Sequence, residues 1–202
     1  MDQFPRNKNL KEKIHNNSKI ILEDETLLVI IDMQEKLINN IKNNKQLIFN
    51  IKKLVDICNL LNVRIAITEQ NPLKLGRTLD SILDNRTYPI FEKMEFSCSK
   101  KKIFIDYVEK YNFKNIIVCG IESHICVLQT SIELLKNGLN ILIPKDAIGS
   151  RNEIDNETAF LRLILSGAVA STTESLICEL CKTSNRKEFK DISKILKNSF
   201  SN

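Results

Sequence analysis

A three-layer α/β/α sandwich, Rossmann-like and built on a mostly parallel six-stranded sheet, is the fold class this sequence predicts. Three observations predict it. Short, unbroken apolar runs recur along the chain, of the kind that strands buried on both faces of a parallel sheet display. Between them lie segments whose apolar residues follow a helical period. The two kinds alternate throughout, and right-handed crossovers between parallel strands then put helices on both faces.

The elements follow in order. Residues 1–20 show no periodic apolar pattern and are expected to form a mobile arm. LLVIID at 27–32 is an apolar run closed by Asp and makes the first strand. NKQLIFNIKKLVDICNLL at 44–61 has a helical apolar period. RIAITEQ at 64–70 is the second strand, and TYPIFEK at 87–93 holds a short third. Residues 101–111 are helical, and NIIVCGI at 115–121 is a fourth buried strand. A helix over 123–138 has Ser123 as N-cap and stops at Gly138. LNILIPKDA at 139–147 is strand five, 158–167 a helix, 168–172 strand six and 173–182 a helix. The length of 202 residues suits one domain, over 21–185, with an amphipathic helix in 186–202 packing back on it.

Composition narrows the function classes. The net charge is +5, and much of the excess lies in the two tails. Aromatics are only 6%, and no basic stripe interleaves with them, so a nucleic-acid partner is not expected. No apolar run reaches the 18 residues a membrane span needs. The polar N-terminus has no secretory h-region, which makes cytoplasm the expected location. Six cysteines without such a signal are not read as a disulfide framework. Cys58, Cys119 and Cys178 lie in apolar runs, where free Cys acts as a small hydrophobe. Cys178-x-x-Cys181 lies late in a helical segment, not at the helix start a redox pair needs, and no second Cys pair or His cluster completes a zinc site. Neither a dinucleotide fingerprint nor a P-loop occurs, so no cofactor is expected.

In a parallel sheet the ligand lies beyond the carboxyl ends of the strands. That rule selects Asp32, Glu69, Gln70, Lys93 and the Gly120–Glu122 stretch, with Cys126 just beyond. Cys126 falls in the first turn of the helix after strand four, where free N–H groups and the helix dipole favour a thiolate. Asp32 can serve as a general base, and Lys93 can hold charge beside both. Each also has a bland reading: a buried Cys, a capping Asp, a solvated Lys. Gln70 and Phe96, near strand ends, are candidates to line a substrate pocket. Spacing alone does not show that these residues converge.

IIDMQEKL at 30–37, FEKMEFS at 91–97 and CGIESHICV at 119–127 together resemble the isochorismatase-like cysteine hydrolases. TEQNPLKLG at 68–76, IPKDAIGSR at 143–151 and LSGAVASTTES at 165–175 extend the likeness. The resemblance implies Asp32, Lys93 and Cys126 as the catalytic set. It implies a cis peptide between Ile121 and Glu122, and an oxyanion hole from the backbone N–H groups of Glu122 and Cys126. It also implies a small-molecule substrate and homo-oligomers. Nicotinamidases of this family carry a metal-binding Asp-x-His and a further His after strand two. Here ITEQNPLKLGRTL at 67–79 has no His, and the chain's two histidines are His15 and His124. Hence no metal is expected. Helical geometry turns His124 from Cys126 by about 200°, so it is read as structural or interfacial. True isochorismatases lack the nucleophilic Cys, so the expectation is a metal-independent cysteine hydrolase of a small amide-like (C–N) substrate, working through a thioester. Vinyl ether hydrolysis of the isochorismatase type, and a non-catalytic binding protein of this fold, remain the alternatives.

Overall fold

The computed structural model describes residues 20–200. The expected N-terminal arm lies almost wholly outside them. Seven strands form one sheet: β1 (Thr26–Ile31), β2 (Arg64–Gln70), β3 (Ile90–Lys93), β4 (Asn115–Ile121), β5 (Asn140–Pro144), β6 (Ile148–Gly149) and β7 (Val169–Ser171). Their order is β3-β2-β1-β4-β5-β7, and every pairing between them is parallel. β6 pairs with the end of β4, Gly120 against Ile148 and Ile121 against Gly149.

β6 corrects the six-strand expectation. The run at 139–147 is not one strand. β5 stops at Pro144, whose ring leaves no N–H to extend the ladder. A 3-10 turn over Lys145–Ala147 then lets Ile148–Gly149 rejoin the sheet beside β4. A two-residue strand is too short to show a period.

Six longer helices cover the sheet: α1 (Asn44–Leu60), α2 (Lys102–Lys110), α3 (Leu128–Lys136), α4 (Glu153–Leu165), α5 (Thr173–Cys181) and α6 (Phe189–Lys197). The strands distribute alternate residues to two cores, as their two-residue period requires. Leu28, Ile30, Ile65, Ile67, Ile117 and Cys119 join Ile51 and Leu54 of α1, Leu176 and Leu180 of α5, and Ile192 of α6. Leu27, Val29, Ala66, Ile116 and Val118 face Phe104 of α2, Leu134 of α3 and Leu163 of α4. The result is three layers. α4 begins at Glu153, five residues before the expected start, because its first turn is polar (Glu153, Asp155) and carries no apolar period. α6 buries Ile192 against the first core, with Phe189, Ile195 and Leu196 partly buried beside it.

The cysteines divide by face. Cys58 and Cys119 are fully buried, whereas Cys178 stands exposed on α5 and so corrects its reading as a core residue. Its helix turns Leu176, Ile177, Leu180 and Cys181 inward and leaves position 178 to solvent. No described helix is long and apolar enough to cross a membrane.

Candidate active site

The sheet order reverses at β1. From there the chain runs outward through β2 to β3, then returns to place β4 on the other side of β1. A crevice opens beyond the carboxyl ends of strands at such a switch point. β1 ends one residue before Asp32, and β4 ends at Ile121.

Asp32 takes a left-handed backbone conformation, φ 49°, which a short polar side chain tolerates better than most. Its N–H donates to the Thr68 carbonyl at 3.1 Å, so the residue stays tied to β2 while leaving the strand. The side chain is 1% exposed and accepts from two directions. Thr68 Oγ1 donates to Oδ1 at 2.6 Å, and Lys93 Nζ donates to Oδ2 at 2.6 Å. Lys93 ends β3, two strands from β1, or about 9–10 Å at ordinary strand spacing. The lysine's long stem, which is fully buried, and the Asp32 side chain bridge that gap together. Its Nζ also donates to Gln70 Oε1 at 2.9 Å. A buried ion pair holds together only when such further hydrogen bonds satisfy the remaining donors and acceptors.

The segment after β4 differs from the ordinary helix start that the sequence suggested. The Ile121–Glu122 peptide is cis. Ser123–Val127 then form a π-type turn that runs into α3. The Glu122 carbonyl accepts from the Ile125 N–H at 3.0 Å and the Val127 N–H at 3.3 Å, rather than from the Cys126 N–H that an α-turn would aim at it. Single π-turns of this kind recur at functional sites.

Cys126 is 6% exposed, and Asp32 and Lys93 are the charged groups that act on its thiol. The expectation of a depressed thiol is corrected here. Burial pushes the Cys126 thiol well up, and the Asp32 carboxylate adds to the push, with Lys93 opposing only in part. The sequence argument had weighed the helix terminus and the lysine but not the loss of water. The resting group is therefore a thiol beside a carboxylate, which needs a base to become a nucleophile.

The remaining candidates separate. Gln70 does not present a free amide to a ligand: it accepts from Lys93, and its Nε2 donates to the Met94 carbonyl at 2.8 Å. Phe96 stands 52% exposed beyond the end of β3. The Glu122 carboxylate accepts from the Arg151 N–H at 3.1 Å and Nε at 3.0 Å. His124 Nδ1 lies 3.0 Å from Ser150 Oγ, not on the thiol. Among the described residues, no group of three or more His, Cys, Asp and Glu side chains is placed to hold a metal ion.

Two buried residues escaped the sequence reading. Thr68 holds Asp32, and its place in register with Ile31 of β1 is the signal that would have found it. Gln34, fully buried, donates to the Gln70 and Gly76 carbonyls and accepts from the Gln70 N–H, so it ties the end of β2 to the loop after β1.

Comparison with known proteins places the chain among others of this architecture. The isochorismatase domain family model matches residues 26–175. Isochorismatase family protein 1B of Dictyostelium discoideum is 35% identical over 182 residues, covering 88% of each chain. Isochorismatase domain-containing protein 2A of Mus musculus is 31% identical, covering 88% of this chain and 85% of its own. Among solved structures, that of the MAR1 ribonuclease from Caenorhabditis elegans has a TM-score of 0.84 and 33% identity, covering 91% of this chain and 95% of its own.

Proposed function

We propose, from the premise that this chain belongs to the isochorismatase family, that it is a metal-independent cysteine hydrolase of a small amide-like (C–N) substrate. Family and fold support a hydrolase in general. The observation that carries the finer reading is the buried Lys93–Asp32 ion pair together with the buried Cys126 thiol on which both groups act.

The chemistry follows from that arrangement. Asp32 takes the thiol proton as Sγ attacks the substrate carbonyl carbon, so a thiolate never has to persist in a dry site. Lys93 offsets the negative charge as it moves from carboxylate to sulfur. The backbone N–H groups of Glu122 and Cys126 hold the tetrahedral oxyanion, and one such donor is worth about 10²–10³ in kcat in other enzymes. Asp32 returns the proton to the leaving nitrogen as the C–N bond breaks, which leaves a thioester. A water then gives its proton to Asp32 and attacks the thioester. Collapse releases the acid, and the Asp32 proton returns to sulfur. Every proton is accounted for without a metal or cofactor.

The test is acyl-enzyme trapping. A panel of small amides and activated esters is mixed with wild type and Cys126→Ala, and intact mass is read at short times. The expected result is one acyl adduct in wild type and none in the variant, with turnover lost. Pyruvate release from isochorismate that survives Cys126→Ala would establish the ether-hydrolysis alternative instead. RNA, the substrate implied by the nematode protein's name, cannot yield a carboxylic thioester. RNA cleavage that falls with Cys126→Ala would therefore displace the amide reading. The same reading includes homo-oligomers, and three large apolar side chains exposed along α4 (Ile154, Leu161, Leu165) support it. Sedimentation velocity showing a monomer at micromolar concentration would remove that part.

A further inference from the structure

We infer that the segment from Ser150 to Asn156 is a positioning clamp for the nucleophile turn, holding the oxyanion-binding amides in place without touching substrate. The inference rests on the proposed cysteine chemistry and adds residues to it that the family comparison does not assign.

Three consecutive residues after the cis peptide are each fastened by their side chains to that one segment. The Glu122 carboxylate accepts from both the backbone N–H and the Nε of Arg151. Ser123 Oγ, fully buried, donates to Asn156 Oδ1 at 2.7 Å. His124 Nδ1 meets Ser150 Oγ at 3.0 Å, and its Nε2 lies 4.0 Å from Asp155 Oδ2. Asp155 is itself held by Asn152 Nδ2 at 2.9 Å. Ser150 is 3% exposed, so its bond to His124 faces little competition from water.

The anchor is rigid for a structural reason. Ser150 directly follows β6, and β6 is paired to the last two residues of β4. Asn156 lies in the first turns of α4, which buries Ala159 and places Leu163 in the second core. The nucleophile turn leaves β4 at Ile121, so turn and clamp spring from adjacent strand ends. The turn itself has an irregular hydrogen-bond pattern, with the Glu122 carbonyl shared by two amides. A π-turn gains less from regular helix bonding and depends more on outside contacts to fix where its N–H groups point. Those N–H groups are the proposed oxyanion donors, whose value depends on geometry set before reaction.

A purely structural role and a positioning role separate by reagent. Acylation of Cys126 passes through an oxyanion; alkylation by iodoacetamide displaces iodide at carbon and does not. The experiment uses the full chain, with p-nitrophenyl acetate and iodoacetamide as probes, and Cys126 modification is read by mass. The variants are Ser150→Ala, Asn156→Ala and Asn156→Asp, the last retaining an acceptor for Ser123. Misplacement of reacting groups by 1 Å costs about 10²-fold, so partial loosening is expected to slow acylation about tenfold in the two alanine variants. Alkylation of Cys126 is expected to stay within about twofold, and Asn156→Asp to recover most of the acylation rate. Unchanged acylation in both alanine variants, or acylation and alkylation falling in parallel, overturns the clamp. If one alanine variant does not fold, the other carries the test by the same ratio of the two rates. Cys126→Ala is run alongside: equal acylation in that variant overturns the nucleophile reading itself, an outcome distinct from failure of the clamp alone.

Discussion

Lys93 joins two roles that pull against each other. In the proposed chemistry it steadies charge at the thiol, and it is one half of an ion pair buried to 0% and 1% side-chain exposure. Removing one partner of such a pair leaves the other charge without compensation, at a cost of about 3–5 kcal/mol. Lys93→Met is therefore expected to lower stability by that amount in urea unfolding. Adding Asp32→Asn to it should restore part of the loss, because no buried charge then remains. Strict additivity of the two substitutions would show that the pair is not coupled. This ion pair also marks how far the sequence was legible. Asp32 and Lys93 stood out as polar residues closing apolar strands, and Cys126 as a thiol just past a third strand end. Their meeting was not legible, since it depends on strand order: Lys93 reaches Asp32 only because β3 lies two places from β1. Gln70 stood near a strand end as a candidate to line a pocket, and sequence does not show that its amide is already bonded to Lys93 and Met94. The thiol's raised proton affinity was hidden for a related reason. It comes chiefly from burial, which strand-end position alone does not disclose.

At the scale of elements, the close packing of β4 against β1 sets where the site can form. Gly120 sits opposite Ile31 with φ +111°, and a Cβ built there would lie 2.1 Å from the Ile31 carbonyl oxygen. Backbone cannot yield as a flexible side chain can, and an L side chain also resists that φ. Gly120→Ala is expected to cost more than about 4 kcal/mol, the range reserved for such severe local conflicts. For a chain of this size that corresponds to a fall in melting temperature of roughly 8 °C or more. Melting by circular dichroism measures it, and a shift under about 2 °C would show that β1 and β4 can part at that point. The helices and long strands were legible because their periods run for several turns or residues. β6 and the π-turn were not. Each is an exception of two to five residues that tertiary contacts impose, and both lie beside the end of β4.

Across the whole molecule, the sheet's two-sided burial makes stability depend on alkaline pH. Cys58, Cys98 and Cys119 are fully buried on α1, before α2 and on β4, where burial raises each thiol above its ordinary value of 9.0; Cys98 is pushed up to about 12. The sign follows from proton binding. Below pH 9 folded and unfolded chains both hold these protons, and the thiols add no pH dependence. Above it the unfolded chain releases them while the folded chain keeps them, so the unfolded state binds fewer protons and stability falls as pH rises. Each thiol contributes a slope of about 1.4 kcal/mol per pH unit until its folded value is reached. Denaturant unfolding in the presence of reductant, from pH 7.5 to 10.5, should show a flat region and then a decline that steepens past pH 9. Lysines and tyrosines titrate in the same range, so the thiol share is isolated by difference. Cys119→Ala removes one buried thiol and is expected to flatten the decline by about that single slope, whatever it does to stability at neutral pH. An unchanged slope in Cys119→Ala would mean that this thiol ionises alike in both states. That would contradict its burial between the core strands and α1. Such an outcome would also weaken the account of Cys126, whose proton is held by the same loss of water at the end of the same strand.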